Sequence, residues 1–373
     1  MNILIVGPTY PHRSGISHYN TLLFRELKAH HNTSLYSFSR QYPQFFFPGT
    51  SDTDTVSRFK IKESGAQYVI DSLNPVTWFS ALGKMKKEKP DLIIAHWWTA
   101  FWGPLYCTLL PALRGLTGAK ILLICHNVKE HEDSRLKRFI AKRVFSLADF
   151  YIVHSEKGRD DLNAMLPGCN VRKAAHPAYD IFDQNKIARD EARKKLGLLG
   201  NTALFFGIVR EYKGLEYLLA AVPHVLKKTG LTLVVAGEFW QNKDRYISMI
   251  KKLGIRDNVR LIDNFIPNEE VETYFKASDV AVLPYTNGTG SGIAQIALAF
   301  KLPIIATDIG SLSEIIENGK TGYLVKPRDP EELAEKITEY FVTGKRASFA
   351  QNIAQKSGQY SWSKLRETIE SFA

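Results

Sequence analysis

The stretch Ala203-Leu204-Phe205-Phe206-Gly207-Ile208-Val209-Arg210-Glu211-Tyr212-Lys213-Gly214-Leu215 decides the fold. Four consecutive apolar residues suit a strand covered on both faces. A glycine ends it, two cations follow in the loop, and an apolar pattern of helical spacing begins after Gly214. The same order opens the chain. Ile3-Leu4-Ile5-Val6 reads as a buried strand, Gly7 to Gly15 as a glycine-bounded loop, and Ile16 to His30 as a helix. Further buried-type runs follow at Leu92–Ala95, Ile121–Ile124 and Tyr151–Val153, with a helical pattern at Arg135–Leu147. After residue 200 the runs are Leu233–Ala236, Val259–Ile262, Val280–Leu283 and Ile304–Ala306. Helical patterns alternate with them at Leu215–Lys227, Arg245–Leu253, Asn268–Ala277, Ile293–Phe300 and Pro330–Phe341. Continuous apolar strands alternating with helices predict an α/β protein with parallel sheets covered on both sides.

The chain has 373 residues, enough for two domains. The polar, charged stretch Pro177–Gly200 has no strand signal and reads as the linker. Two Rossmann-like domains facing each other across a cleft are therefore expected, with ligands at the carboxyl ends of the strands. Net charge is +11, and it is uneven: 23 basic and 14 acidic residues lie in 1–178, against 26 and 24 in 179–373. An anionic surface partner is expected on the first half. Three cysteines, Cys107, Cys125 and Cys169, form no disulfide framework and suggest a reducing compartment. The start has no basic segment before its four apolar residues, so no export signal is read there. The apolar stretch Phe101–Leu113 is broken by Gly103, Pro104 and Pro111 and is shorter than the ~20 residues of a spanning helix. The expected location is cytoplasmic, with peripheral attachment to the inner face of a membrane.

Three constellations carry chemistry. Arg210 and Lys213 combine a fork donor with a point charge at a helix start, a pairing that suits a diphosphate. The competing reading is a pair of solvated loop cations. Next, Asn287-Gly288-Thr289-Gly290-Ser291-Gly292 follows a strand and precedes the helix from Ile293. Its amides can cradle phosphate or sugar oxygens, whereas the plain alternative is a surface loop. Last, His126-Asn127 follows the strand Ile121–Cys125, with His131-Glu132 close behind, and His96 follows Leu92–Ala95. His126 reads as a group that meets a sugar hydroxyl, and His96 reads as packing. No His or Cys pair has zinc-type spacing, so no metal is expected.

Together these residues resemble the family-4 retaining glycosyltransferases of GT-B fold, over nearly the whole chain. The most specific match is Ala277-Ser278-Asp279-Val280-Ala281-Val282-Leu283-Pro284-Tyr285, then Gly292, Pro303 to Asp308, Gly310, Glu314 and Asn318-Gly319-Lys320-Thr321-Gly322. The resemblance implies a nucleotide-sugar donor, a UDP- or GDP-sugar, and no cofactor. It makes Gly15 the glycine turn at the cleft, His126 the histidine at the transferred sugar, and Lys213 the diphosphate lysine. Arg210 substitutes for the family arginine, which usually follows the glycine where this chain has Ile208. Gly237, Glu238, Phe265 and Ile266 would line the nucleotide, and Thr289, Gly290, Ser291 and Gly292 the phosphates. The family's two glutamates are replaced by Gly288 and Ile296, and Gln295 is a candidate to take part of the ribose contact.

The implied domains are 1–178, joined by a last helix at 359–373, and 179–358. The implied reaction moves a sugar to a glycan or lipid-linked acceptor in envelope polysaccharide or glycolipid synthesis. Lys84, Lys86, Lys87 and Lys89 form one basic cluster on the first half. Lys137, Arg138, Lys142 and Arg143 lie on a helix with Leu136, Phe139, Ile140, Val144 and Phe145. Trp97, Trp98, Phe101, Trp102 and Phe45-Phe46-Phe47 add aromatic weight, and the combination suits an anionic membrane surface. Rival readings are a GT-B epimerase or phosphorylase and a weak or inactive sugar-nucleotide binder. A nucleic-acid partner is not expected, because no recognised binding motif accompanies the charge.

Overall fold

The computed structural model describes residues 1–43, 51–129 and 134–372. Phe45-Phe46-Phe47, His131 and Glu132 lie outside the described residues. The chain forms two compact units. Residues 1–55, 60–176 and 361–373 make the first, and 56–59 with 177–360 make the second. The inclusion of 56–59 in the second unit has no signal in the sequence pattern.

The first unit contains β1 (Asn2–Val6), α1 (Gly15–Lys28), β2 (Asn32–Arg40), β3 (Ala66–Asp71), α2 (Pro75–Met85), β4 (Leu92–Trp97), α3 (Gly103–Thr117), β5 (Lys120–Cys125), α4 (Arg135–Phe145), β6 (Phe150–Val153), α5 (Glu156–Met165) and β7 (Val171–Lys173). These strands form one parallel sheet in the order β3-β2-β1-β4-β5-β6-β7. The second unit contains α6 (Arg189–Lys195), β8 (Thr202–Phe206), α7 (Leu215–Leu226), β9 (Thr232–Ala236), α8 (Lys243–Lys252), β10 (Val259–Ile262), α9 (Asn268–Ala277), β11 (Val280–Leu283), α10 (Gly292–Ala299), β12 (Ile304–Thr307), α11 (Leu312–Ile315), β13 (Gly322–Val325), α12 (Pro330–Val342) and α13 (Arg346–Lys356). Its parallel sheet runs β10-β9-β8-β11-β12-β13. The last helix, α14 (Trp362–Glu370), belongs to the first unit.

Both sheets reverse their winding once, between β1 and β4 and between β8 and β11. Neighbouring loops diverge at such a point and leave a crevice beyond the strand ends. The central strands are buried on both faces because helices cover both, which is why they read as unbroken apolar runs. Local signals start the helices on time. Ser14 Oγ accepts from the Ser17 amide at 3.0 Å. Asn74 caps α2 with Pro75 behind it, and Asp329 caps α12 with Pro330 behind it.

Strand β2 and the edge strands β3, β7 and β13 lie outside the apolar runs read from the sequence. β2 and β3 carry Ser, Gln and Tyr at partly exposed positions. The expected linker also holds structure: α6 and a short 3-10 turn at Asp180–Phe182. The aromatic cluster after β4 is mostly core. Trp97 and Trp102 are each 1% exposed, so only Trp98 and Phe101 of that group reach the surface. Among the described residues, no helix is long and apolar enough to cross a membrane.

Asp279 ties α6 to the second sheet. Its carboxylate accepts from the Thr202 amide at 2.8 Å and from Arg189 at 2.6 Å, with Arg193 at 3.6 Å and Arg346 at 3.5 Å. Its backbone carbonyl accepts from the Tyr340 hydroxyl at 2.6 Å. Removing the carboxylate would leave three guanidinium groups crowded without a counter-charge. Asp279→Ala should lower the unfolding free energy by about 3 kcal/mol. Urea denaturation monitored by tryptophan fluorescence checks this, and an unchanged midpoint would show that the cluster is ordinary surface pairing.

Candidate functional site

In the second unit, β8 ends at Phe206, and 207–214 form a loop rather than a continued strand. Arg210 therefore does not sit on a strand face shared with Ile208. Val209 makes one bridge to Phe239, and Arg210 turns outward. Its guanidinium lies 5.4 Å from the ring centre of Tyr212 and 5.9 Å from that of Trp240. Lys213 does the opposite. It is only 8% exposed, it lies 5.9 Å from the ring centre of Tyr285, and no carboxylate pairs with it among the described residues. Burial, with Arg210 nearby, pushes its ammonium down to about 8.

Two glycines shape this cluster of loops. Gly214 has φ of +67°, and a Cβ there would strike the Pro284 carbonyl oxygen. Gly237 has φ of +149°, and its Cβ would meet the Gly207 carbonyl. The loops after β8, β9 and β11 thus touch backbone to backbone, and a side chain would force them apart. Glu238 is buried and accepts from Trp240 Nε1 at 3.2 Å. Ile266 is buried and Phe265 half-buried on the loop after β10.

Ser291 caps α10, its hydroxyl taking the Ala294 amide at 3.2 Å with Tyr285 Oη at 3.1 Å. Thr289, Gly290 and Gly292 complete the loop before α10, with Gly290 exposed. Ile296 is buried, and Gln295 is buried with no hydrogen bond to Oε1. Gly288, at the other family glutamate position, brings no side chain.

In the first unit, Gly15 is the first residue of α1 and is exposed, with open space where a Cβ would stand. The fold itself does not require glycine there. The strand ends hold a histidine nest. His96, His126, His154 and His176 all pack around the ring of Tyr19, with centroid distances of 5.7, 4.8, 5.4 and 5.0 Å. Trp362 of α14 closes the ring at 5.3 Å. His96 is fully buried, as a packing histidine should be, but it also bonds to His126. His154 Nδ1 donates to the Ala174 carbonyl at 2.9 Å.

Burial pushes His96 down to about 3 and His154 to about 4. Burial, with the other three histidines adding, holds His126 well below its ordinary value. His96, His126 and His154 are therefore neutral near pH 7. Asn20, Tyr19, His154 and His176 escaped the sequence reading, although a signal existed: a histidine stands within three residues of the end of each of β4, β5, β6 and β7. Among the described residues, no group of three His, Cys, Asp or Glu could hold a metal.

Residues 188–356 match the family model described as glycosyl transferases group 1. The chain is 25% identical over 261 residues to a D-inositol 3-phosphate glycosyltransferase of Corynebacterium diphtheriae; the match covers 64% of this chain and 59% of that protein. In structure it is similar to Anabaena HepE in complex with UDP, with TM-score 0.75, 17% identity and coverage of 100% and 99% of the two chains. It is equally similar to sucrose-phosphate synthase from Thermosynechococcus elongatus, with TM-score 0.75, 17% identity and coverage of 99% and 98%. These structural likenesses establish the GT-B fold.

The neutral nest has a stability consequence. The folded-state values of His96, His126 and His154 lie below that of an unfolded histidine, so the unfolded chain binds more protons below about pH 6.5. Their stabilising contribution is complete above that pH and is lost as pH falls toward about 4. Denaturant melts at pH 7.0 and 5.5 should show a clear loss at the lower pH, reduced in His154→Leu. Equal stability at both pH values would contradict buried neutral histidines.

Proposed function

We propose that this chain, a group 1 glycosyl transferase over residues 188–356 and GT-B in fold, moves a sugar from a nucleoside-diphosphate donor to an acceptor hydroxyl with retention at the anomeric carbon. One observation carries this reading: Lys213 is a buried ammonium with no counter-ion among the described residues, at the winding reversal of the second sheet, with Arg210 close by. A desolvated cation is costly unless an anion neutralises it. The helix α7 starts directly after Lys213 and Gly214, and a helix start favours anions. A diphosphate supplies the missing charge, and the relative solved with UDP supports a UDP-sugar as donor, with a GDP-sugar as the alternative.

In this proposal Arg210 and Lys213 stabilise the leaving diphosphate together with the amides of Thr289, Gly290, Ser291 and Gly292. These cations do the work a metal ion would otherwise do. Gly237, Glu238, Phe265 and Ile266 line the nucleotide, and Trp240 and Tyr212 extend that wall. The bond from the anomeric carbon to the phosphate oxygen breaks as the acceptor oxygen bonds on the same face. The acceptor proton passes to the departing phosphate oxygen. His126 contacts the transferred sugar, and Gly15 lets substrate approach the first turn of α1.

The acceptor is a glycan or lipid-linked glycan of envelope polysaccharide or glycolipid synthesis. The basic first half and α4 support it. Leu136 and Phe139 are 67% and 69% exposed beside Lys137, Arg138, Lys142 and Arg143. That composition suits peripheral contact with an anionic membrane on the cytoplasmic side. A second reading, a sugar-nucleotide binder with weak or no turnover, is favoured by Gly288 and Ile296 standing where the family has glutamates. Product formation from UDP- or GDP-sugars with glycan acceptors decides between the two.

Lys213→Ala should weaken UDP or GDP binding by tenfold or more, since a charge-assisted contact is worth roughly 1.5–3 kcal/mol. Arg210→Ala should act in the same direction and less strongly, because its guanidinium is exposed. Calorimetric titration measures both, and unchanged affinity in both variants would remove the diphosphate assignment. Separately, the protein should float with anionic liposomes, and Leu136→Ser with Phe139→Ser should leave it at the bottom of the gradient. Equal recovery of the two forms would reject α4 as the membrane contact.

A further inference from the structure

The histidine nest contains a chain of hydrogen bonds whose direction is fixed at one end. Asn20 Nδ2 donates to the Pro8 carbonyl at 2.9 Å. A carbonyl oxygen can only accept, so the amide of Asn20 cannot be turned the other way. Its Oδ1 therefore faces His96 Nε2, at 2.9 Å, and His96 must present an N–H there. A neutral imidazole has one N–H, so His96 Nδ1 carries a lone pair. That lone pair lies 3.1 Å from His126 Nε2, which must then be the protonated nitrogen of His126. The remaining nitrogen, His126 Nδ1, then carries a lone pair, with no protein hydrogen-bond partner among the described residues.

We infer that Asn20 and His96 are positioning residues that hold His126 as its neutral Nε2–H tautomer, so that Nδ1 meets the substrate as a hydrogen-bond acceptor. The inference rests on the proposed role of His126 at the transferred sugar and deepens it: the group His126 recognises is a hydroxyl, which it binds by accepting.

The surroundings keep this arrangement in place. Asn20 and His96 are both 0% exposed, so water does not compete for their bonds. The His96 and His126 rings lie nearly parallel, 15° apart, and Tyr19 stands edge-on to both. The Tyr106 hydroxyl donates to the His96 carbonyl at 2.8 Å, and the His126 amide donates to the Trp97 carbonyl at 2.8 Å, fixing the two strand ends. Gly7 completes the seat. A Cβ there would stand 2.8 Å from His96 Cδ2 and 3.0 Å from Asn20 Nδ2. His154 and His176, the other titratable rings around Tyr19, lower the affinity of His126 for a second proton and so favour the neutral form.

The test combines a spectroscopic readout with two substitutions. Long-range 15N–1H correlation of histidine-labelled protein reports which nitrogen of each ring carries the proton. Resonances are assigned by loss in His126→Gln and His96→Asn. The expected result is a protonated Nε2 and an unprotonated Nδ1 in both His96 and His126. His96→Asn keeps an acceptor near the place of Nδ1 and should retain the His126 tautomer and most of kcat. His96→Leu removes the acceptor and should lower kcat about tenfold or more, as loss of an orienting partner does, with UDP affinity unchanged.

A protonated Nδ1 on wild-type His126, equal damage from the Asn and Leu variants, or full activity in His96→Leu would each overturn the inference. If the wild-type protein turns over no donor, the proposed transfer reaction fails, while the tautomer assignment is still decided by the nitrogen shifts alone.

Discussion

A lysine buried with no counter-ion among the described residues is the constraint from which the second unit is best understood. The Lys213 ammonium has lost its water and gained no carboxylate from those residues, and its lowered pKa records that cost. A fold keeps such a group only where the surrounding backbone leaves no alternative. Gly214 and Gly237 let three loops meet backbone to backbone, Gly207 lies beside the Lys213 ammonium, and the Pro284 carbonyl occupies the space where a side chain at 214 would go. The strain of the site is electrostatic, and a bound anion would release it.

The first unit solves the same topological problem with different chemistry. Its winding also reverses once, but the groups gathered at the strand ends are imidazoles around Tyr19, of which His96, His126 and His154 are neutral. The contrast fits a division of labour in which one unit deals with charge and the other with hydroxyls. Surface charge runs the other way, since most of the net +11 lies on 1–178. The basic excess of the first unit is thus outside its histidine nest, on elements such as α4, where Leu136 and Phe139 point outward among cations.

Much of the architecture was legible because buried parallel strands leave unbroken apolar runs. Ile3–Val6, Ile121–Ile124 and Val280–Leu283 each fall on a central strand. Edge strands are covered on fewer sides, so β3, with its Gln and Tyr, and the three-residue β7 carry no such run. Arg210 and Lys213 stood out as loop cations, but their opposite burial did not. Exposure in a loop depends on what closes over it, and here Lys213 lies beside Gly207 and the ring of Tyr285. His126 was noticeable from its place after a strand. Asn20 was not, because its role depends on Pro8 and His96 meeting it from two other elements. The aromatic run after β4 misled for a related reason: Trp97 and Trp102 are apolar bulk for the core, and composition alone does not separate core from surface.

The central claim is that Lys213 awaits an anionic phosphate group, and proton linkage tests it most directly. A diphosphate beside the ammonium must raise its pKa from about 8. Titration of UDP or GDP into the protein at pH 8.5, in two buffers of different ionisation enthalpy, gives the protons exchanged on binding. The account predicts uptake of a sizeable fraction of one proton, falling to none in Lys213→Ala. Binding of the same tightness with no proton uptake, or the same uptake in Lys213→Ala, would contradict it.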